Sequence, residues 1–233
     1  MEAIYDDAFF SAQQDGSRLS AKLVAPFIIE LLHPSSVIDI GCGRGTWLAA
    51  FIENGVTDIT GVDGDYIDRD KLYIPQEAFH AHNLSSPFNL ERRFDLVICL
   101  EVAEHLPESN ADSFVESLCQ LGPAVVFSAA IPYQGGTNHL NEQWQDYWVS
   151  KFANNGYVLV DCLRQAFWNN PHIDWWYRQN MLLFIEQRHL ASHSTIDRAH
   201  SSLPVSIAHP ECYMNMKYVL KDYMEASIKE EPN

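Results

Sequence analysis

The sequence predicts an α/β fold: a Rossmann-like, doubly wound sheet, mostly parallel, with seven strands and helices on both faces. Two observations indicate this fold. Short apolar runs rich in β-branched residues alternate with helical segments along residues 20–187, and such alternation is typical of a parallel sheet covered by helices. Three glycines directly follow the first apolar run, where a strand must turn sharply into a helix. In such sheets, ligands bind at the carboxyl ends of the strands.

The predicted elements follow in order along the chain. A helix is predicted over residues 20–32, because its apolar side chains recur at helical spacing and Pro34 ends it. Apolar runs predict strands over residues 37–40, 58–62, 79–82, 94–100, 124–130, 157–163 and 180–187. Between these runs, helices are predicted over residues 46–54, 110–120 and 142–154. A last amphipathic helix is predicted over residues 214–229.

Charge and composition exclude several classes of partner. The 233 residues include 15 Lys and Arg and 31 Asp and Glu, a formal net charge of −16. Because such a chain lacks the clustered cations that bind phosphates, neither nucleic acid nor a membrane surface is an expected partner. No apolar run is long enough to span a membrane, and the acidic first residues do not match a signal peptide. Five scattered cysteines fit a reduced, cytoplasmic protein.

Asp39, Gly41, Gly43 and Gly45 form a glycine-rich turn between the first strand and the next helix. Alone, this turn is equally well explained as a tight connection between the two elements. Asp63 ends the next strand, and a carboxylate there can accept both hydroxyl groups of a ribose. The pair therefore indicates an adenosine-type ligand. Asp39 would repel a pyrophosphate and attract a ligand that carries ammonium and sulfonium groups.

The turn resembles motif I of the class I S-adenosylmethionine-dependent methyltransferases, Asp/Glu-x-Gly-x-Gly-x-Gly, with Asp39 as its acid. The resemblance covers roughly residues 20–187. It implies that S-adenosylmethionine is the cofactor and that the backbone at Gly41 and Gly43 cradles its amino-acid half. It also implies that Asp63, with Gly64 beside it, holds the ribose.

Residues 81–84, Ala-His-Asn-Leu, match the place where family members often carry Asp-Leu in contact with the adenine. Asn83 and Leu84 are therefore expected at the adenine. Asn83 departs from the acid of the family, but its amide can still pair with an adenine edge.

Residues 101–106, Glu-Val-Ala-Glu-His-Leu, resemble motif IV of many small-molecule methyltransferases. The resemblance implies that Glu101 faces the cofactor near its methionine portion. Glu104 is interpreted as a solvated residue at the start of a helix. His105 is either a catalytic residue or another solvated position.

Residues 135–144 resemble a Gly-Gly-x-x-His-x-Asn-Glu-Gln-Trp element of one branch of these methyltransferases, whose members often act on small metabolites or sugars. His139 is a candidate general base that removes a proton from the methyl acceptor, since a neutral imidazole suits that task near pH 7. In the alternative, His139 and Asn141 cap the following helix and Trp144 lies in the core. The loop carries no convincing set of hard ligands, so no metal is expected.

The expected function is therefore transfer of a methyl group from S-adenosylmethionine to an oxygen or nitrogen of a small molecule, such as a sugar or secondary metabolite. A short-chain NAD(P)-dependent oxidoreductase is an alternative, because Tyr147 and Lys151 have its Tyr-x-x-x-Lys spacing. A non-catalytic protein that only binds the cofactor is another alternative. The aromatic residues 167–177 pack in the core, wall an acceptor pocket or join two copies of the chain in a homodimer.

Three segments are expected along the chain. Residues 20–188 form the methyltransferase domain, and residues 189–233 form a C-terminal linker and helix. Residues 1–19 correspond to a segment that folds over the cofactor as a lid in related enzymes. Its aromatic and polar side chains either form that lid or pack on the core; they are Tyr5, Phe9, Phe10, Gln14 and Arg18.

Overall fold

The computed structural model describes residues 7–87, 90–190, 204–216 and 220. Within these residues one sheet of seven strands forms the centre of the molecule, as predicted. The strands are β1 (Ser36–Ile40), β2 (Asp58–Asp63), β3 (Phe79–Ala81), β4 (Leu96–Leu100), β5 (Ala124–Ser128), β6 (Tyr157–Val160) and β7 (Leu182–Glu186).

The strands lie in the order β3-β2-β1-β4-β5-β7-β6. β7 runs antiparallel to both of its neighbours, and the other pairings in this sheet are parallel. The chain order reverses between β1 and β4, which pair in register from Val37 opposite Leu96. A reversal of this kind opens a crevice at the carboxyl ends of the strands, where ligands bind in open α/β sheets.

Helices cover both faces of the sheet. They are α1 (Asp7–Leu32), α2 (Thr46–Glu53), α3 (Ala111–Leu121), α4 (Gln145–Asn154), α5 (Cys162–Phe167), α6 (Trp175–Asn180) and α7 (Gln187–Leu190). α1, α2, α5 and α6 pack on one face, and α3 and α4 pack on the other. Leu96 and Ile98 of β4 belong to the first core, whereas Val97 and Cys99 belong to the second, as the two-residue period of a strand requires.

The first helix is longer than predicted, because α1 begins at Asp7 and already includes residues 7–19. Gly16 and Pro26 both lie inside it. Glycine and proline weaken the helical signal of a sequence, which explains the difference. Gly16 also permits close packing, since a Cβ atom there would lie 2.4 Å from Oδ2 of Asp174.

Two strand ends also differ from the prediction. Residues 162–163 were expected in a strand but begin α5, and the expected start of the last strand, Asn180, is the last residue of α6. Both differences lie at the ends of short elements, and periodicity alone does not separate such short runs into helix and strand.

The C-terminal segment, residues 204–216, packs against the domain. The Gln145 side chain donates to the carbonyl of Ile207 at 2.9 Å, and the His209 N–H donates to Gln179 at 2.7 Å. Residues 210–216 and 220 are helical, and the rest of the helix predicted over residues 214–229 lies outside the described residues. None of the described helices has the length and apolar character that crossing a membrane requires.

Candidate functional site

A cavity of about 970 Å³ opens at the carboxyl ends of β1, β2 and β4. Every residue that the sequence selected for the site contributes to its lining. These residues are Asp39, Gly41, Gly43, Asp63, Gly64, Asn83, Leu84, Glu101, His105 and His139. The topology brings them together, because parallel strands end at the same edge of the sheet.

The glycine turn that follows β1 has a backbone that other residues rarely adopt. Gly41 has φ +81°, and a Cβ atom there would lie 2.3 Å from Cγ2 of Val102. The Gly41 N–H donates to the carbonyl of Val62 on β2 at 2.8 Å, which fixes the turn against the neighbouring strand. The turn therefore presents backbone, and no side chain, to the cavity at this point.

Asp63, the last residue of β2, is the anchor of the turn. Its carboxylate accepts hydrogen bonds from the Gly43 N–H at 2.7 Å, the Gly64 N–H at 2.6 Å and the Tyr66 hydroxyl at 2.5 Å. Burial raises the pKa of Asp63, and these three donors oppose that rise. Because the Tyr66 ring is about half exposed, its hydroxyl can give up this bond to a ligand hydroxyl.

Asp39 lies buried in β1, with 3% of its surface exposed. Burial and the neighbouring charge of Asp63 both raise its pKa well above the ordinary value. Two carboxyl groups, those of Asp39 and Asp63, are thus buried in surroundings of low polarity beside one cavity. A cationic ligand would stabilise their ionised forms, whereas an anion would not.

Asn83 and Leu84 follow β3 and form the far end of the cavity. The Asn83 side-chain oxygen accepts the Ser85 N–H at 3.1 Å, which closes a local turn and orients the amide. Leu84 is half-buried and packs against the core between the sheet and α3. An apolar side chain beside an exposed amide can contact a flat ring and its polar edge.

Glu101 directly follows β4 and has φ +55°, a strained conformation for a residue with a side chain. Its carboxylate accepts hydrogen bonds from Gln134 at 2.9 Å and from Asn180 at 3.3 Å, while its N–H donates to Ser128. Burial raises the pKa of Glu101, and these polar neighbours oppose that rise. The two amides therefore hold the carboxylate in the cavity lining.

The interpretation of Glu104 as a solvated residue is wrong. Glu104 is 0% exposed, and neither carboxylate oxygen has a hydrogen-bond partner within the described part of the chain. Burial, and then the charge of Glu101, raise the pKa of this carboxyl well above the ordinary value. The loop after β5 covers it, since the N–H groups of Leu140 and Asn141 donate to the Glu104 carbonyl.

His105 and His139 lie side by side at the same end of the cavity, with their ring centroids 4.9 Å apart. His105 is partly buried, and burial together with the neighbouring His139 lowers its pKa to about 4. His105 is therefore a neutral imidazole at pH 7. One ligand atom each from Glu104, His105 and His139 lies within 4.8 Å of the other two.

His139 does not cap a helix, so this alternative is wrong. α4 begins at Gln145, and its N-cap Trp144 makes no side-chain cap bond and is 43% exposed. The Nδ1 atom of His139 instead lies 2.8 Å from Oε1 of Glu142. This contact fixes the ring and leaves Nε2 for another partner. Glu142 stands three residues after His139. This spacing is visible in the sequence, but the contact between the two side chains was not predicted from it.

Two residues that hold Glu101 had no clear signal in the sequence. They are Gln134, which lines the cavity, and Asn180, and their amides come together from the loop after β5 and from the end of α6. Asp174, Trp175, Trp176 and Tyr177 also line the cavity. The aromatic segment thus lines the cavity in part, as one of the alternatives expected.

Tyr147 and Lys151 lie outside the cavity lining. The Lys151 ammonium lies 2.7 Å from Asp112 of α3 and 4.5 Å from the centre of the Tyr147 ring. The pair therefore joins α4 to α3, the two helices that pack on one face of the sheet. The oxidoreductase alternative has no support from this position.

The family model described as "Methyltransferase domain" matches residues 12–194 of the chain. The chain is 32% identical over 95 residues to a ubiquinone biosynthesis O-methyltransferase of Pseudomonas fluorescens. It is 30% identical over 83 residues to the enzyme of that name from Coxiella burnetii. These matches include 34% and 33% of this chain. The chain spans only about a third of the length of these relatives, 37% and 35%.

Solved structures with the same fold have low sequence identity to the chain. A sugar N-methyltransferase from a Streptoalloteichus species superposes with a TM-score of 0.61 at 15% identity, over 80% of this chain and 97% of that one. An amino pentose methyltransferase from Micromonospora echinaspora, solved with S-adenosylmethionine bound, gives a TM-score of 0.56 at 16% identity, over 80% and 99%. These superpositions establish the fold.

Proposed function

This chain belongs to the methyltransferase domain family, and we propose that it transfers a methyl group from S-adenosylmethionine to an oxygen or nitrogen of a small molecule. The single observation that carries the proposal is the cavity at the strand ends. It joins a glycine turn and two buried acids, Asp39 and Asp63, in one lining with the paired rings of His105 and His139.

The proposed pose of the cofactor follows the lining of the cavity. The backbone at Gly41 and Gly43 accommodates the amino-acid half, while Asp39 and Glu101 supply negative charge for its ammonium and sulfonium groups. The Asp63 carboxylate, which the N–H of the neighbouring Gly64 holds in place, accepts hydrogen bonds from the ribose hydroxyls. These bonds replace the one from the Tyr66 hydroxyl. Asn83 and Leu84 receive the adenine at the far end. One of the similar structures supports this choice of cofactor: the amino pentose methyltransferase was solved with S-adenosylmethionine bound.

The acceptor side of the proposal rests on His105 and His139. In methyl transfer the acceptor atom attacks the methyl carbon, the carbon–sulfur bond breaks, and the acceptor proton must leave. Nε2 of His139 can take that proton, because Glu142 engages Nδ1 and would stabilise the imidazolium that forms. Placing the two reactants in line supplies much of the acceleration, since the sulfonium is already activated.

Calorimetry with the full chain tests the cofactor. We expect S-adenosylmethionine to bind and Asp63→Ala to weaken its affinity about 10- to 100-fold, because charge-assisted hydrogen bonds contribute about 1.5 to 3 kcal/mol each. Asp65→Ala is the matched control, since the Asp65 side chain is 88% exposed. Binding of NADH without S-adenosylmethionine, or an unchanged affinity in Asp63→Ala, would contradict the proposal.

Two further parts of the proposal concern the chain as a whole. The acceptor is a small molecule, and neither nucleic acid nor a membrane is a partner, because the net charge of −16 opposes binding to phosphates. We also propose a lid from the first segment: Gly16 and Ser17 of α1 border the same cavity as the glycine turn. Residues 20–188 are the proposed catalytic domain. A homodimer is the proposed assembly of the chain.

A further inference from the structure

We propose that Glu104, His105 and His139 bind one divalent transition-metal ion at the acceptor end of the cavity. The inference rests on the proposed function and changes one part of it: Nε2 of His139 binds the metal, so the metal replaces this nitrogen as the group that activates the acceptor. One ligand atom from each residue lies within 4.8 Å of the other two. A cation that is 2.0 to 2.2 Å from its ligands holds neighbouring ligand atoms about 3 to 3.5 Å apart, so small side-chain rotations close the site.

The buried carboxylate of Glu104 is the second, independent observation. It is 0% exposed, and within the described residues neither of its oxygens has a hydrogen-bond partner. Glu101 lies nearby and shows the usual solution, since the amides of Gln134 and Asn180 bind its carboxylate. Buried carboxylates are normally paired or coordinate a metal. The Glu104 carboxyl has no side-chain amide of this kind and lies near the Glu101 carboxyl and the Ala130 backbone. The two imidazoles beside it are metal ligands by type.

The position of His139 also suits a metal ligand. Its Nδ1 lies 2.8 Å from the Glu142 carboxylate, whose exposed fraction is 22%. A carboxylate that binds one imidazole nitrogen fixes the ring and its tautomer, and so directs the other nitrogen to a metal. The ring of His105 stands nearly perpendicular to that of His139, at 79°. Both rings line the same cavity as Glu104.

The ligand types select the class of metal. Two imidazoles and one carboxylate favour Mn²⁺, Fe²⁺ or Zn²⁺ over Mg²⁺ and Ca²⁺, which prefer sites built from oxygen alone. Three protein ligands also leave at least one coordination position open, as in catalytic metal sites. That position faces the cavity, which Glu104, His105 and His139 all line.

A cation at this position selects oxygen over nitrogen as the acceptor atom. An acceptor hydroxyl that coordinates the cation has a lowered pKa and releases its proton to solvent. The resulting oxygen attacks the methyl carbon, a carbon–oxygen bond forms, and the carbon–sulfur bond breaks with its electron pair on sulfur. The products are a methyl ether and a neutral thioether. An amine would instead lose its lone pair to the metal and with it the ability to attack.

The sequence predicted that no metal is bound, because the loop around His139 alone does not contain enough metal ligands. That loop supplies one of the three ligands. The other two follow β4, more than thirty positions earlier in the chain. Backbone hydrogen bonds from Leu140 and Asn141 to the Glu104 carbonyl bring the two segments together.

Metal binding to the full chain tests this inference without any acceptor. The chain is treated with EDTA, dialysed and titrated with Mn²⁺, and the loss of the electron paramagnetic resonance signal of free Mn²⁺ reports binding. Calorimetry with Zn²⁺ is the second titration. We expect one ion per chain for the wild type and at least tenfold weaker binding for Glu104→Gln and His139→Ala. Glu108→Gln and His172→Ala are matched controls at exposed positions and should bind as the wild type does.

The metal and cofactor titrations are carried out separately, so the two proposals can fail separately. S-adenosylmethionine should bind to the EDTA-treated chain, to Glu104→Gln and to His139→Ala with wild-type affinity. Wild type that binds the cofactor but no stoichiometric metal would overturn the metal site and leave the methyltransferase proposal standing. Equal metal affinity in His139→Ala and wild type would overturn it too. Should Glu104→Gln fail to fold, as judged by circular dichroism, His139→Ala still decides.

Discussion

At the scale of single residues, the glycine turn illustrates how conformation and space act separately. Gly41 has φ +81° and a Cβ position only 2.3 Å from Val102, so alanine there meets both backbone strain and a clash. Gly55 has φ +94°, but no atom lies within 4 Å of its Cβ position. Both glycines have a left-handed backbone, but only at Gly41 would an added Cβ atom also clash with a neighbour.

We expect Gly55→Ala to lower the free energy of unfolding by about 1 to 2 kcal/mol, the cost of the left-handed backbone. Gly41→Ala should cost clearly more, because overpacking adds about 1 to 3 kcal/mol. Urea denaturation of both variants measures the difference. Equal losses would show that Val102 moves aside at no cost.

The same scale shows which site residues a sequence can predict. Asp39 and Asp63 were predictable because each stands at a fixed place relative to the end of a strand. Glu104 was not, because its burial depends on a loop that arrives from β5. Asn180 was assigned to a strand, and only the packing of α6 beside β5 brings its amide to Glu101.

At the scale of elements, the docking of residues 204–216 depends on a buried ion pair. Arg164 of α5 is 0% exposed, binds the Asp161 carboxylate through Nε at 2.8 Å and donates to the Val205 carbonyl at 2.8 Å. The sequence predicted a linker before and after residue 204, because its Ser- and His-rich composition carries no periodic signal. The position of this segment is instead fixed by contacts with distant residues, such as the hydrogen bond from Arg164 to Val205, 41 positions apart.

We expect Arg164→Met to lower the free energy of unfolding by about 3 to 5 kcal/mol, because it leaves Asp161 buried without its partner. Arg188→Ala, whose side chain is 67% exposed, is the matched control and should change stability by less than about 0.5 kcal/mol. Chemical denaturation compares the two variants. A loss in Arg164→Met as small as that of the control would contradict the structural role of the pair.

At the scale of the whole molecule, the net charge of −16 is not spread evenly between surface and interior. Asp39, Asp63 and Glu104 are buried around one cavity. The composition predicted the acidity, and the motifs predicted two of these three acids at a ligand site. The total charge could not show which carboxyl groups are buried, because burial follows from the topology of the sheet.

The buried acids predict how stability depends on pH without cofactor. Burial raises the pKa of Asp39 and Asp63 above the ordinary value of 3.8, so the folded chain keeps protons that the unfolded chain releases. Their contribution to stability is complete below pH 3.8 and is lost as pH rises through the raised pKa values. We expect Asp39→Asn to flatten this decline in melting temperature between pH 4 and 7.

Asp65→Asn serves as the control for this experiment, since it is the same substitution at a side chain that is 88% exposed. S-adenosylmethionine should raise the melting temperature more at the upper end of the pH range, where the two acids are ionised. Parallel curves for wild type, Asp39→Asn and Asp65→Asn would exclude Asp39 as a source of the pH dependence.

The left-handed backbone of Glu101 has a consequence for the evolution of such a chain. A residue with a side chain at φ +55° costs about 1 to 3 kcal/mol, and glycine would remove that cost. Selection for heat resistance alone would therefore favour replacement of Glu101 and erase the carboxylate from the cavity. Persistence of glutamate at this position in descendants of the chain would be a record of selection for activity against selection for stability.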